Sequence, residues 1–162
     1  MVQNTKEHYM RAALAEAKKA FDKQEVPVGA VVVCNDIIIA RAHNLTETLN
    51  DPTAHAEMQA ITAAANWLGG KYLTDCTIYV TLEPCGMCAG AIGWNQASAL
   101  VFGAGDEKKG YRKISDSLFE ITWKKIHTGN TLPNFPVSTR NCITITMMMY
   151  NVERLRWFIK TI

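Results

Sequence analysis

Two cysteines three residues apart, Cys85 and Cys88, lie in the stretch VTLEPCGMCAGAI, residues 80–92. Cysteines at this spacing can bind a metal, carry out redox chemistry or lie unreactive in a core. At positions i and i+3 they project from one face of a predicted helix, and the N-terminus of a helix favours thiolates. A catalytic zinc takes three protein ligands and leaves a fourth position for water. A zinc site here would therefore need one more ligand from elsewhere in the chain.

Among the four histidines of the chain, His55 is the best candidate for that ligand. It stands in DPTAHAEMQAI, residues 51–61, and Glu57 follows two residues later. In a strand-helix-strand-helix arrangement, consecutive helix N-termini lie along the same edge of the sheet. We therefore expect His55 to lie beside Cys85 and Cys88, with Glu57 near the fourth position without binding the metal.

This set of residues predicts hydrolytic deamination. Two thiolates make zinc a milder Lewis acid than three histidines would, so a base beside the attacking water would help. Glu57 would take a proton from that water, return it to a ring nitrogen and later help ammonia leave. The reaction replaces an exocyclic amine on an amidine-like carbon with a carbonyl. His-x-Glu followed by Pro-Cys-x-x-Cys is also the pattern of the zinc nucleobase deaminases.

Two other interpretations of the cysteines remain open from their spacing. A redox pair would predict a thioredoxin-like βαβ context and would not need His-Ala-Glu. A closed structural zinc site would need a fourth cysteine or histidine, and His43 is the only plausible local candidate. The other cysteines, Cys34, Cys76 and Cys142, stand in strand-like runs and are predicted to be buried thiols without a chemical role.

The elements that must position these residues follow from the apolar periodicity. We expect a helix over 5–23, strands over Val28–Val33 and Ile37–Ala40 joined by an Asn35-Asp36 turn, and both strands buried on both faces. A second helix is expected over 54–68, with Asp51 or Thr53 as N-cap and Gly69-Gly70 at its end. A strand over Cys76–Leu82 and a helix from Cys85 to about Asn95, entered through Pro84, should follow. The last expected elements are a strand over Ala99–Gly103, a strand over 142–150 and a closing helix. This order argues for a sheet between layers of helices.

Composition sets outer limits on the function. The chain has 162 residues, 48% of them hydrophobic and 20% charged, which is typical of one globular domain. Its apolar runs are too short to span a bilayer, and the polar N-terminus lacks the apolar segment of a signal peptide. We therefore expect a cytoplasmic protein with reduced cysteines and no membrane partner. A net charge of +2 neither announces nor excludes a nucleic-acid partner.

The sequence closely resembles the cytidine deaminase-like superfamily, and within it the bacterial tRNA-specific adenosine deaminases. The resemblance rests on the segments VPVGAVVV (26–33), ARAHN (40–44), DPTAHAEMQAI (51–61), YVTLEPCGMCAGAI (79–92) and VFGAGDEKKG (101–110). It implies a three-layer α/β/α fold with a mixed sheet of about five strands, in one domain over 1–162. It also implies a homodimer with one zinc per subunit, and conversion of adenosine to inosine at the wobble position of a tRNA anticodon loop.

The resemblance also implies roles for individual residues. It puts His55, Cys85 and Cys88 on the metal and Glu57 at the proton transfer, and it puts Asn44 where the family holds the target base. The other residues that it puts at the substrate are Val26, Pro27, Ala56, Glu83, Asp106 and Lys108. For Asn44 the alternative is a turn residue after a strand, and for Asp106 and Lys108 it is an ordinary charged surface turn.

The resemblance fades after about residue 115, so the segment from about 116 is predicted to be divergent. Its cations could form a phosphate-binding surface or a solvated face, and Trp157 could stack on a base or pack in a core. These cations are Lys124, Lys125, Arg140, Arg154, Arg156 and Lys160. Two further functions therefore stay open. One is deamination of a free base, nucleoside or nucleotide, such as guanine, cytosine or deoxycytidylate. The other is a zinc-stabilised module that is not an enzyme, for which Glu57 would be superfluous.

Overall fold

The structure, a computed structural model, describes residues 6–111 of the chain. The elements in chain order are α1 (Lys6–Asp22), β1 (Gly29–Cys34), β2 (Ile37–His43), α2 (Ala56–Leu68), β3 (Cys76–Leu82), α3 (Gly86–Trp94) and β4 (Ala99–Ala104). All seven were predicted, most of them to within two residues at each end. No helix in the range 6–111 is long and apolar enough to cross a membrane.

The four strands form one mixed sheet in the order β2-β1-β3-β4. Strand β1 pairs antiparallel with both β2 and β3, whereas β3 and β4 are parallel. The β1–β2 hairpin turns through Asn35 and Asp36, whose φ angles of 48° and 60° are those of a type I′ turn. Parallel strands need a crossover connection, and α3 provides it between β3 and β4. The predicted α/β/α arrangement is confirmed for this part of the chain.

Side chains of the central strands alternate between two buried clusters. Val31, Val33 and Tyr79 pack with Tyr9 and Met10 of α1 on one face. On the other face the cluster is formed by Ala30, Val32, Cys34, Ile78 and Val80 with Ala56, Ala60, Ile61 and Ala64 of α2 and Ile92 of α3. Helix α1 lies so close to β1 that a Cβ on Gly29 would overlap the backbone of Ala13 and Ala17. The sheet is therefore held between α1 and the α2/α3 layer.

Three expectations about this frame were wrong or fall outside it. Strand β2 is not buried on both faces, since only Ala40 is buried in it; among the described strands it pairs with β1 alone and forms an edge. The N-cap of α2 is His55 rather than Asp51 or Thr53, because Asp51 accepts hydrogen bonds from the Thr53 N–H and hydroxyl in a separate turn. The expected fifth strand over 142–150 and the closing helix lie outside the described residues.

Candidate metal centre and its surroundings

His55 and Cys85 occupy equivalent positions in the fold, since each is the N-cap of a helix on the same side of the sheet. His55 precedes α2 and Cys85 precedes α3, and neither side chain makes a capping hydrogen bond. Instead, His55 Nδ1 lies 3.7 Å from Cys85 Sγ and 3.4 Å from Cys88 Sγ. An N-cap side chain ordinarily accepts a bond from its own helix. Here the two N-cap side chains face one another instead, as expected of side chains that bind the same metal ion.

The donor set fits zinc. The ligand atoms of His55, Cys85 and Cys88 all lie within 4.8 Å of one another. One imidazole and two sulfurs are ligands that zinc prefers, and three protein ligands are typical of a catalytic site with one open position. His43, the candidate fourth ligand of a closed site, is engaged elsewhere: its ring nitrogens lie 3.2 Å from Glu16 Oε2 and 3.1 Å from Lys23 Nζ. Within residues 6–111, the geometry therefore favours an open three-ligand site.

The two thiols of this group differ in their affinity for a proton. A hydrogen bond from Cys88, followed by one from His55, lowers the pKa of Cys85 to about 4. The hydrogen bond between Cys88 and Cys85, together with burial, raises the pKa of Cys88. The hydrogen bond between His55 and Cys85 raises the pKa of His55. These contacts therefore favour the thiolate form of Cys85. Zinc would compete with protons for the other two ligands.

Glu57 lies in the first turn of α2 with only 4% of its surface exposed. Burial raises the pKa of its carboxyl group, and a hydrogen bond with the Cys88 thiol acts in the opposite direction. Glu57 thus lies beside the three donors without belonging to their group. A raised pKa makes the carboxyl group a better proton acceptor than an exposed glutamate, as the role of a general base requires. Ala56, also predicted at the substrate, is fully buried as the first residue of the same helix.

Asn44 lies just beyond β2 and is buried, 4% exposed. Its Nδ2 donates to Glu25 Oε2 at 3.1 Å and to Thr46 Oγ1 at 2.8 Å, and its backbone N–H donates to the Val28 carbonyl at 3.0 Å. Sequence reasoning missed Glu25, which is 1% exposed. The only signal was a carboxylate directly before the Val26-Pro27 pair, and a lone Glu is usually a surface residue.

Val26 and Pro27 are half-buried and connect Glu25 to β1. The Val28 N–H donates to the Val26 carbonyl at 2.7 Å, which folds the segment tightly around Pro27. The Asn44 N–H bonds to Val28, so this tight segment and the end of β2 lie side by side. Val26 and Pro27 therefore lie next to Asn44, the residue that the family resemblance puts at the target base.

A second loop, residues 105–110, packs against the cysteine segment. Cys85 forms an isolated antiparallel bridge with Gly110, and the Tyr111 N–H donates to the Pro84 carbonyl at 3.0 Å. The buried Glu83 side chain accepts from the Asp106 N–H at 3.1 Å. The carboxylate of Glu83 thus anchors this loop. The sequence did not predict this role, since Glu83 was expected to contact the substrate through its backbone.

The side chain of Asp106 organises the same loop. Its Oδ1 accepts from the N–H groups of Lys108 and Lys109 at 2.8 and 3.0 Å, while Lys108 itself is exposed. The positive charge of Lys109 acts on His55, where it opposes the rise in the imidazole pKa. The positive charge of Lys109 therefore lies near the metal donors on this side. The lysines and arginines of the divergent segment, from Lys124 to Lys160, lie outside the described residues, as does Trp157.

Comparison with known proteins places this geometry among deaminases. A family model described as the cytidine and deoxycytidylate deaminase zinc-binding region matches residues 3–104. The tRNA-specific adenosine deaminase of Aquifex aeolicus is 52% identical over 105 residues, which cover 65% of this chain and 70% of that protein.

Two solved structures are also similar. One, from work on A-to-I editing by tRNA:A34 deaminases at the wobble position of transfer RNA, is 48% identical with a TM-score of 0.63; the match covers 64% of this chain and 80% of that one. The other, a guanine deaminase from Bacillus subtilis, is 31% identical with a TM-score of 0.61, and the match covers 90% and 93% of the two chains.

Proposed function

Because the chain belongs to the cytidine and deoxycytidylate deaminase zinc-binding family, we propose that it deaminates adenosine to inosine at the wobble position of a tRNA. The observation that carries this proposal is the high identity with a tRNA-specific adenosine deaminase. The family match over 3–104 contains His55, Glu57, Cys85 and Cys88. A zinc-stabilised module without activity would not need Glu57, since it is not one of the clustered donors.

His55, Cys85 and Cys88 would hold one zinc ion in each subunit. When bound, zinc supplies a Lewis acid that activates water for attack on an amidine-like carbon. Glu57 takes a proton from the attacking water, delivers it to a ring nitrogen of the base and then assists the departure of ammonia. Burial of Glu57 supports this role, because a carboxyl group with a raised pKa can hold the proton between these two transfers.

The residues around the donors would bind the substrate. Asn44 positions the target base, Val26 and Pro27 line the wall beside it, and the backbone of Ala56 and Glu83 contacts the reacting groups. Asp106 fixes the turn that carries Lys108 and Lys109. Phosphates of an anticodon loop are suitable partners for lysines at the rim of the site, whose contribution falls as salt increases.

The decisive experiment is detection of inosine at position 34 after the purified protein is incubated with a tRNA that carries adenosine there. Free adenosine, cytidine, deoxycytidylate and guanine are assayed in parallel at the same enzyme concentration. We expect turnover of the tRNA alone. Turnover of guanine with an inert tRNA would replace this proposal by guanine deamination, the activity named for a solved structure that is similar over most of the chain.

We also propose a cytoplasmic homodimer in which the α2/α3 layer meets a second copy. Helices α2 and α3 carry exposed apolar side chains, with Trp67 61%, Met87 39% and Trp94 70% exposed. Exposed aromatic side chains of this size are common at interfaces between proteins. Light scattering coupled to size-exclusion chromatography should give a dimer mass that Trp94→Glu reduces to a monomer mass. A monomeric wild type would contradict this part of the proposal.

A further inference from the structure

Glu25 is a buried carboxylate that receives hydrogen bonds from one short segment of the chain. Its Oε1 accepts from the Thr48 N–H at 2.7 Å, and its Oε2 accepts from the Glu47 N–H and Asn44 Nδ2, each at 3.1 Å. The Thr46 hydroxyl lies 3.4 Å from Oε2. Residues 44–48 therefore wrap around one carboxylate that enters from the α1–β1 connection.

The charge of Glu25 is maintained by these donors. Burial by itself would raise the pKa of the carboxyl group, but the hydrogen bonds from Thr48, Glu47 and Asn44 outweigh it and lower the pKa to about 2. The group is therefore an anion at any pH at which a tRNA enzyme works. An ionised carboxylate only accepts hydrogen bonds, so every group that faces it must present an N–H or O–H.

This requirement fixes the Asn44 amide. Nδ2 must face Glu25, and its second hydrogen is directed to Thr46 Oγ1 at 2.8 Å. Both donor hydrogens of Asn44 are thus used within the protein, which leaves the carbonyl oxygen Oδ1 for another partner. Every fully buried side-chain nitrogen or oxygen in the described range has a hydrogen-bond partner, and no bond to Asn44 Oδ1 occurs within that range. Oδ1 must therefore be accessible from outside the protein.

The same loop connects Asn44 to the metal donors. The Leu45 N–H donates to the Ala54 carbonyl at 3.0 Å, and Ala54 directly precedes His55. The loop that Glu25 holds therefore has Asn44 at one end and a zinc donor at the other. A displacement of Asn44 relative to the zinc donors would change the distance between the substrate and the reacting water, and such errors of about 1 Å are costly to catalysis.

We infer that Glu25 is a positioning residue for the proposed deamination: it orients the Asn44 amide so that Oδ1 accepts a hydrogen bond from a donor on the substrate nucleotide. The inference rests on the proposed function for what Asn44 meets, whereas the coupling between Glu25 and Asn44 can be measured without any substrate. Asn44 then selects for a nucleotide donor and against an acceptor at the same place, because a carbonyl oxygen facing an acceptor leaves both unpaired.

The kinetic test is a double-mutant cycle between Glu25→Gln and Asn44→Ala on adenosine-34 tRNA. Glutamine keeps the size of Glu25 but turns one acceptor into a donor, so one N–H of the loop meets another N–H. We expect kcat/KM to fall about 10- to 100-fold, mainly in kcat, because an interaction that orients the substrate nucleotide in the transition state is lost. In the Asn44→Ala background the same change should alter kcat/KM by less than about twofold, because the residue through which Glu25 acts is gone.

Two further variants keep this cycle interpretable. Thr46→Val removes the second acceptor of Asn44 Nδ2 while it keeps the shape of the side chain. It should cause a smaller loss, about threefold to tenfold, that also disappears in the Asn44→Ala background. Glu16→Gln is the matched control: Glu16 is also buried, 4% exposed, but it bonds Lys19 and His43. This control should retain kcat/KM within about twofold even where thermal stability decreases.

A substrate-free measurement separates this inference from the proposed function. In ¹⁵N–¹H spectra, the Asn44 Nδ2 protons, assigned by their loss in Asn44→Ala, should shift in Glu25→Gln and exchange faster with water. If the wild type forms no inosine, the proposed function fails, and the spectra still decide whether Glu25 orients Asn44. The inference is overturned if these signals do not change in Glu25→Gln. It is also overturned if the kinetic effects of Glu25→Gln and Asn44→Ala multiply independently, or if Glu25→Gln lowers stability alone.

Discussion

Strand β3 has a cysteine near each end, and the two differ in burial, in hydrogen-bond partners and in the pKa of the thiol. Cys76, its first residue, is 1% exposed and lies opposite Cys34 in the antiparallel β1–β3 register. Burial and a hydrogen bond with Cys34 raise the pKa of Cys76 to about 12. Cys85, three residues beyond the other end, is half-buried at a helix N-terminus, and its pKa is lowered to about 4.

This difference shows that the position in the fold decides the chemistry of a thiol. At the Cys76 end, two cysteines oppose each other inside an apolar cluster and act as small hydrophobic side chains. At the Cys85 end, two helix N-termini meet, and the side chains that would normally cap them are gathered around a common point. Polar donors converge there, and the two buried carboxylates Glu25 and Glu83 anchor the neighbouring loops.

The largest contrast is expected from one substitution made at each end of β3. Cys85→Ser should reduce zinc from about one ion per chain to near zero, because three protein ligands are needed to hold a catalytic zinc. Deamination should fall by more than about 10³-fold, and thermal stability should drop since metal binding is coupled to folding.

Cys76→Ser is the control for that experiment. It should keep its zinc and lose only about 1–3 kcal/mol of unfolding free energy, because it buries a hydroxyl among apolar groups. Metal analysis by mass spectrometry and denaturant unfolding measure both effects. Equal zinc content in the two variants would remove the distinction between the two ends.

Glu57→Gln should give the next largest effect, and it separates the proton carrier from the metal donors. Glutamine has nearly the same shape, so zinc and the fold should be retained. Deamination should fall about 10²- to 10⁴-fold because the group that transfers the proton is lost. Inosine formation and zinc content are measured on the same preparation. Activity near that of the wild type would mean that another group transfers the proton.

The sequence predicted the frame and the donors because both depend on local patterns. Period-two and period-3.6 apolar runs located all seven described elements, and the order of the helices placed His55 near Cys85 and Cys88. The errors have physical causes. Apolar residues in β2 suggested full burial, but burial depends on which strand pairs next to it. Asp51 and Thr53 have the right composition for an N-cap, yet they bond each other instead.

The loop anchors could not be predicted in the same way. Glu25 and Glu83 are buried, although glutamate is usually a surface residue, and their partners lie 19 to 23 residues away along the chain. Such contacts have no periodicity, so they become visible only when the loops are closed. The family resemblance named Glu83 for its backbone, and it did not name Glu25 at all.

A glycine substitution tests whether the Glu83 anchor matters at the reactive end. A Cβ on Gly110 would lie 2.6 Å from Glu83 Cδ and 2.5 Å from the Asp106 carbonyl oxygen, so the carboxylate or the loop must move. We expect Gly110→Ala to retain zinc and to lose about tenfold in kcat/KM on tRNA through misplacement of the loop. Gly70→Ala is the control, since a Cβ there meets nothing within 4 Å. Similar kinetics for the two variants would argue against an anchoring role.

The smallest effects are expected at the Cys34–Cys76 pair. Each single change to alanine removes one buried sulfur and should cost about 1 kcal/mol of unfolding free energy, with zinc content and kcat/KM unchanged. Because the two thiols are hydrogen-bonded to each other, the second change should cost less than the first. A coupling energy of about 0.5 kcal/mol from denaturant unfolding of both single variants and the double variant would measure that bond. Loss of zinc or activity in the double variant would mean that the two ends of β3 are not independent. The buried thiols do not contact the metal donors, so such an effect would have to be transmitted through the strand.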